Sequence, residues 1–122
     1  MRTIIITGAS GGLAQEMVKL LPNDQLILLG RNKEKLAQLY GNNPNVEWIE
    51  IDITDDSALE ALVADLYLRY GKIDVLINNA GYGIFEDFDQ ISDQDIHQMF
   101  EVNTFALMNL SRRLAARMKE NR

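Results

Sequence analysis

Residues 7–14 read TGASGGLA and follow directly on the apolar run TIII, so Gly8, Gly11 and Gly12 stand where a strand would pass into a helix. A glycine-rich strand-to-helix turn lets backbone N–H groups approach a pyrophosphate closely and aims the positive end of a helix at its charge. In that arrangement Gly8 makes the tight turn, Gly12 or Gly11 permits the close approach, and Ala14 is the small residue where helix packs on strand. A flexible turn before a helix has the same composition, so the motif needs company. A second stretch supplies it: residues 71–81, GKIDVLINNAG, are an apolar run ending in the small residues Asn79, Ala80 and Gly81. In open α/β sheets ligands bind beyond the carboxyl ends of the strands, and small residues there leave room for a ribose. Asp52 and Ile53, in EIDIT, close a third strand-like run, where an aspartate either meets a ligand or caps the next helix, a task open also to Thr54, Asp55 and Ser57.

The elements that must position these residues follow from periodicity. Residues 3–7 (TIIIT), 25–29 (QLILL), 46–51 (VEWIEI) and 74–78 (DVLIN) read as four strands. The first, second and fourth are continuous apolar runs, as for strands covered on both faces, whereas VEWIEI alternates and suits a place nearer an edge. Helices are predicted over residues 12–21, 33–40 and 57–70. The last opens on the capping-box spacing Ser57 to Glu60 and stops at Gly71. A loop, NAGYGIFEDFDQI, then precedes a long helical stretch from near Ser92, along which Leu107, Leu110, Leu114 and Met118 recur at three and four residues. Strands alternating with helices imply a doubly wound parallel sheet, and right-handed crossovers give the strand order 3-2-1-4.

Composition narrows the classes. The chain has 122 residues, 47% apolar and 25% charged, the balance of one globular domain. Without cysteine there is no disulfide or thiolate metal site, and a single histidine, His97, makes no metal cluster alone and reads as an exposed helix residue. No apolar run near the start is long enough for a signal sequence or a membrane span, so a cytoplasmic protein is the default. A net charge of −6 disfavours nucleic acid and anionic membranes as partners. The basic run at residues 112–122 reads as the cationic last turns of a helix.

TGASGGLA resembles the T-G-x-x-x-G-x-G cofactor motif of the short-chain dehydrogenase/reductase family, with Gly8 and Gly12 in place and Ala14 where the third glycine is usual. It also fits the T-G-x-x-G-x-x-G spacing of the extended branch through Gly11. The Asn-Asn-Ala-Gly element at residues 78–81 resembles that of the classical branch, in which Asn78 and Asn79 brace the sheet and Gly81 lies beside the cofactor. The resemblance implies a Rossmann-type nicotinamide-dinucleotide domain over residues 1–122, the N-terminal half of a typical member. It implies cofactor contacts from Gly8, Ser10, Gly11, Gly12, Leu13, Arg31, Asn32, Asn79, Ala80 and Gly81, with Asp52 accepting from the adenine amino group and Ile53 beside the ring. An acid at the end of the second strand pairs with the ribose 2′-hydroxyl in NAD-preferring members; that position is Gly30 here, and the next residue, Arg31, suits a phosphate. NADP is therefore expected in preference to NAD. Asn103, in EVNTF, resembles the family's catalytic asparagine, which kinks this helix and holds a water. Tyr82, Ile84 and Phe85 line a substrate mouth or pack their loop.

The family's serine and Tyr-x-x-x-Lys pair have no counterpart in these residues, since Tyr40, Tyr67, Tyr70 and Tyr82 precede Pro44, Gly71, Asp74 and Glu86 at that distance. The expectation is a fragment of an oxidoreductase acting on a small carbonyl or alcohol, inactive by itself and built for a homo-oligomer. A half-length dinucleotide-binding protein without catalysis is the alternative. A flavodoxin-like receiver needs clustered acids after the first strand, where Gly8, Ala9 and Ser10 stand instead.

Overall fold

The computed structural model describes residues 1–79, 92–101 and 105–120. Its sheet is built from β1 (Thr3–Ile6), β2 (Gln25–Gly30), β3 (Val46–Glu50) and β4 (Val75–Ile77), all parallel, in the order β3-β2-β1-β4. This is the order expected from right-handed crossovers. β1 is central because Ile4, Ile5 and Ile6 have apolar cover on both faces, and none is more than 2% exposed. β3 lies at an edge, as its alternating pattern implies.

The helices are α1 (Gly12–Lys19), α2 (Lys33–Tyr40), α3 (Asp56–Tyr70), α4 (Asp93–Phe100) and α5 (Ala106–Glu120). Residues alternate along the strands between two cores. On one face Ile4, Ile6, Leu26 and Leu28 pack with Ala14 and Val18 of α1 and Leu36 and Tyr40 of α2. On the other, Ile5, Ile27 and Leu29 pack with Leu59, Val63 and Leu66 of α3 and Leu110 and Leu114 of α5. The result is three layers, helices covering both faces of a parallel sheet.

One local expectation is corrected. The cap of α3 is Asp55, whose side chain accepts from Ala58 N at 3.1 Å, and Ser57 lies inside the helix. The chain turns before that point, because Asp55 N donates to Asp52 O at 3.0 Å, so the earlier carboxylate reaches the free amides first. The stretch from Ser92 is α-helical over Asp93–Phe100 and Ala106–Glu120, with π-helical turns at Glu101 and Phe105. A π-turn shifts the hydrogen-bond register and is frequent where a helix carries function. Asn103, Ala80, Gly81, Tyr82, Ile84 and Phe85 lie outside the described residues. Gly71 does end α3, at φ 75°, a backbone conformation that glycine adopts without strain.

Candidate functional site

The loop between β1 and α1 is fixed from three sides. Gly8 sits at φ 64° and its carbonyl accepts from Gly11 N at 3.2 Å, closing a tight turn that a side chain at Gly8 would strain. Ala9 N donates to Leu29 O at 3.1 Å, and the buried Tyr40 hydroxyl donates to Ala9 O at 2.6 Å. Burial pushes that hydroxyl's pKa upward, so it stays a donor. From β4, Asn79 N donates to Thr7 Oγ1 at 2.9 Å and Asn79 Nδ2 to Gly8 O at 3.2 Å. Asn78 Nδ2 reaches Ser111 Oγ of α5 at 3.1 Å. The ends of β1 and β4 are thus tied together where the loop turns upward.

What the loop presents is the N-terminus of α1. Gly11 is its cap residue, with no side-chain hydrogen bond to the helix and no acid in the first turn. The other helices with a described cap differ: Asn32, Asp55 and Ser92 each accept a first-turn amide, and each of α2, α3 and α4 has an acid in its first turn. The amide end of α1 therefore keeps its partial positive charge open to an external anion. A Cβ at Gly12 would meet nothing within 4 Å, so the glycine serves an approach from outside rather than internal packing. Ser10 is half-buried and Leu13, 66% exposed, lies beside the same opening. Ala14 is fully buried against the sheet, as its small size predicts.

At the end of β2, Gly30 is a packing glycine, since a Cβ there would fall 3.0 Å from Leu36 Cδ2. Arg31 is exposed between two clefts. One of about 490 Å³ is lined by Arg31, Glu50, Ile51, Asp52 and Ala58; the other, of about 330 Å³, by Arg31, Asn32, Lys33, Glu34 and Glu50. Among the described residues no carboxylate forms an ion pair with Arg31. Asn32 Oδ1 is engaged as the α2 cap, accepting from Lys35 N at 3.0 Å. Asp52 is exposed and its Oδ1 accepts from Thr54 N at 3.0 Å and Thr54 Oγ1 at 2.6 Å, which with the nearby Arg31 holds its pKa below the usual range. Ile53 is buried in the α3-side core with 8% exposure, so only a sliver of it is available to a ring.

The structure brings Gly8, Ser10, Gly11, Gly12, Leu13 and Asn79 to one end of β1, and Arg31, Asn32, Asp52 and Ile53 to the adjacent ends of β2 and β3. Three further residues escape the sequence reading. Thr7 lies within the quoted motif but its hydroxyl's role is visible only once β4 is placed. Tyr40 and Glu50 reach the site from 31 and 17 residues away, at Ala9 and Lys33 respectively. Among the described residues no His, Asp and Glu are gathered as a metal site requires. Two cations of the basic run of α5 meet α3: Arg113 pairs with Asp56 at 2.9 Å and Arg117 lies 4.9 Å from the Tyr67 ring centroid.

A parallel sheet with helices on both faces and an open helix N-terminus beyond its first strand defines a Rossmann-type domain. Residues 2–122 match the short chain dehydrogenase family, and the chain belongs to that family. It is 34% identical to the ketoacyl reductase HetN of Nostoc over 125 residues, which cover 98% of this chain and 44% of that one. It is 34% identical to a benzil reductase of Saccharomyces cerevisiae over 123 residues, covering 89% of this chain and 46% of the relative. A solved short-chain dehydrogenase from Streptomyces avermitilis superposes with a TM-score of 0.84 at 29% identity, over 99% of this chain and 46% of that one. The chain spans less than half the length of these proteins.

Proposed function

We propose that residues 1–122 form the cofactor-binding half of a reductase, holding a nicotinamide dinucleotide, NADP in preference to NAD. The observation that carries this reading is the bare amide end of α1 beside three helices that are capped by side chains. The pyrophosphate rests there, over Gly11, Gly12 and Leu13, with Ser10 at the side. Asp52 accepts from the adenine amino group, and Arg31 meets the ribose 2′-phosphate as a planar fork suited to it. Asn79, Ala80 and Gly81 flank the nicotinamide-side ribose, and Asn103 is the catalytic asparagine. When bound, the cofactor exchanges a hydride with the carbon of a small carbonyl or alcohol substrate.

Chemistry needs more than these residues supply. Tyr40 is committed to Ala9 O and Tyr70 to Glu47, and no tyrosine of the chain has a lysine four residues on. The 122-residue chain therefore binds cofactor without turning over substrate. HetN acts as a ketoacyl reductase and the yeast relative on benzil, so the substrate does not transfer between relatives. The protein acts in the cytoplasm and assembles as a homo-oligomer; among the described residues no helix is long and apolar enough to cross a membrane. Fluorescence titration with NADPH and NADH is the test. Saturable binding that is lost on Gly12→Val supports the reading, and failure of both nucleotides to bind overturns it.

A further inference from the structure

The end of β2 has no acid to accept from a ribose hydroxyl, and a side chain at Gly30 would press on Leu36, since a Cβ there would lie 3.0 Å from Leu36 Cδ2. The neighbouring strand supplies a carboxylate at the same level. Gly30 and Glu50 are register partners in the parallel ladder, so their side-chain positions share a face. It is the α2 face, where Val46 and Trp48 also pack. Glu50 lines both clefts that flank Arg31. Its Oε2 accepts from Lys33 N at 3.1 Å, in the first turn of α2. Among the described residues no donor reaches its Oε1. A phosphate drawn by Arg31 to this end of α2 would seek the same first-turn amide that Glu50 holds.

We infer that Glu50 sets cofactor selectivity against Arg31, its carboxylate standing in for the missing acid of β2 by accepting a ribose 2′-hydroxyl and repelling a 2′-phosphate. This rests on the dinucleotide reading above and goes beyond it. Arg31 attracts the doubly charged phosphate of NADPH, while Glu50, with Glu34 and Asp52 nearby, leaves the surroundings net negative once Arg31 and Lys33 are counted. The preference of the native chain for NADPH is correspondingly narrow. Discrimination is a difference between two affinities, and a repulsive group lowers one of them as effectively as a new contact raises the other.

Glu50→Gln tests this with little cost to the fold, because the amide oxygen still accepts from Lys33 N while the charge is gone. NADPH and NADH dissociation constants are measured by fluorescence for the native chain, Glu50→Gln, Arg31→Ala and Glu34→Gln, each checked by thermal melting. Glu50→Gln is expected to tighten NADPH roughly five-fold, the size of a screened surface charge interaction, without tightening NADH. Arg31→Ala shifts the ratio the opposite way, and Glu34→Gln, which lines only the smaller cleft, shifts it less. An unmoved ratio in Glu50→Gln, or an equal shift in Glu34→Gln, overturns the inference while leaving the dinucleotide reading intact. Absence of binding by both nucleotides in the native chain overturns the two together.

Discussion

The Tyr40 hydroxyl, at the last residue of α2, donates to the carbonyl of Ala9 in the β1–α1 loop at 2.6 Å, and both residues are buried. The bond ties the end of α2 to the glycine turn.

Replacing Tyr40 by Phe keeps the ring in its core and leaves the Ala9 carbonyl without a partner. An unsatisfied buried acceptor costs about 1–3 kcal/mol, so urea denaturation should show a loss of that order. Nicotinamide-dinucleotide affinity should fall as well, because the loop loses its anchor. A variant as stable as the native chain would show that Ala9 O is satisfied without Tyr40.

Gly30 has a steric role that a cofactor argument alone does not supply. Gly30→Ala places a methyl 3.0 Å from Leu36 Cδ2, tighter than ordinary contact, and overpacking of a closed core costs roughly 1–3 kcal/mol. Combining it with Leu36→Val should recover most of the loss, as read by thermal melting. Additive losses in the double variant would mean that the strain arises elsewhere. Gly30→Asp, the substitution that a cofactor swap would suggest, should destabilise more than Ala.

Much of this arrangement is legible in the sequence because it rests on short-range patterns. The runs of Ile4 to Ile6 and Leu26 to Leu29 have no polar face to place in water, so they demand cover on both sides, and chain handedness then orders the strands. The glycine turn is legible because φ above zero at Gly8 and space at Gly12 leave a mark on residue type. Long-range contacts leave none: nothing in LAQLY marks the Tyr40 hydroxyl as the support of Ala9. Glu50 is one of several acids until the β2–β3 register puts it beside Gly30. The cap of α3 is mistaken because DDSALE offers Asp55 and Ser57 equally, and the choice falls to the turn at Asp52, which belongs to the chain's path.

At the opposite end of the sheet, Glu47 of β3 receives both ends of the Arg69 guanidinium, at 2.9 and 2.8 Å, together with the Tyr70 hydroxyl of α3. These donors, Arg69 foremost, hold the Glu47 pKa below its ordinary value. A carboxylate whose pKa is lower folded than unfolded contributes its stability above the unfolded value, near 4.5, and loses it as pH falls through the folded one. Both side chains are partly exposed, so the contribution is held to about 1 kcal/mol or less. Urea midpoints should therefore drop as pH falls from neutral to below 4, and Glu47→Gln should start lower and fall less steeply. Parallel acid profiles for the two proteins would remove Glu47 from the effect.

The bare N-terminus of α1 invites a stability-for-function exchange. Gly11 has φ −78° and ψ 162°, the backbone of an ordinary cap residue, and a Cβ there would lie an acceptable 3.5 Å from Gly8 O. Gly11→Asp should thus fit, with its carboxylate accepting a first-turn amide as Asp55 does for α3. Cap replacement of glycine stabilises by a few tenths of a kcal/mol, and a negative charge at the helix start adds about 0.3–1 kcal/mol. The melting temperature should hold or rise. The same carboxylate takes the amides that a pyrophosphate would use and repels its charge, so NADPH and NADH affinities should both fall, by more than ten-fold on the scale of a lost charge-assisted contact. Equal weakening of the two separates this effect from changes at Arg31 or Glu50, which act at the 2′ position and move the two nucleotides apart. A stabilised variant with native affinity for both would mean that the dinucleotide, if bound, lies somewhere other than the end of α1.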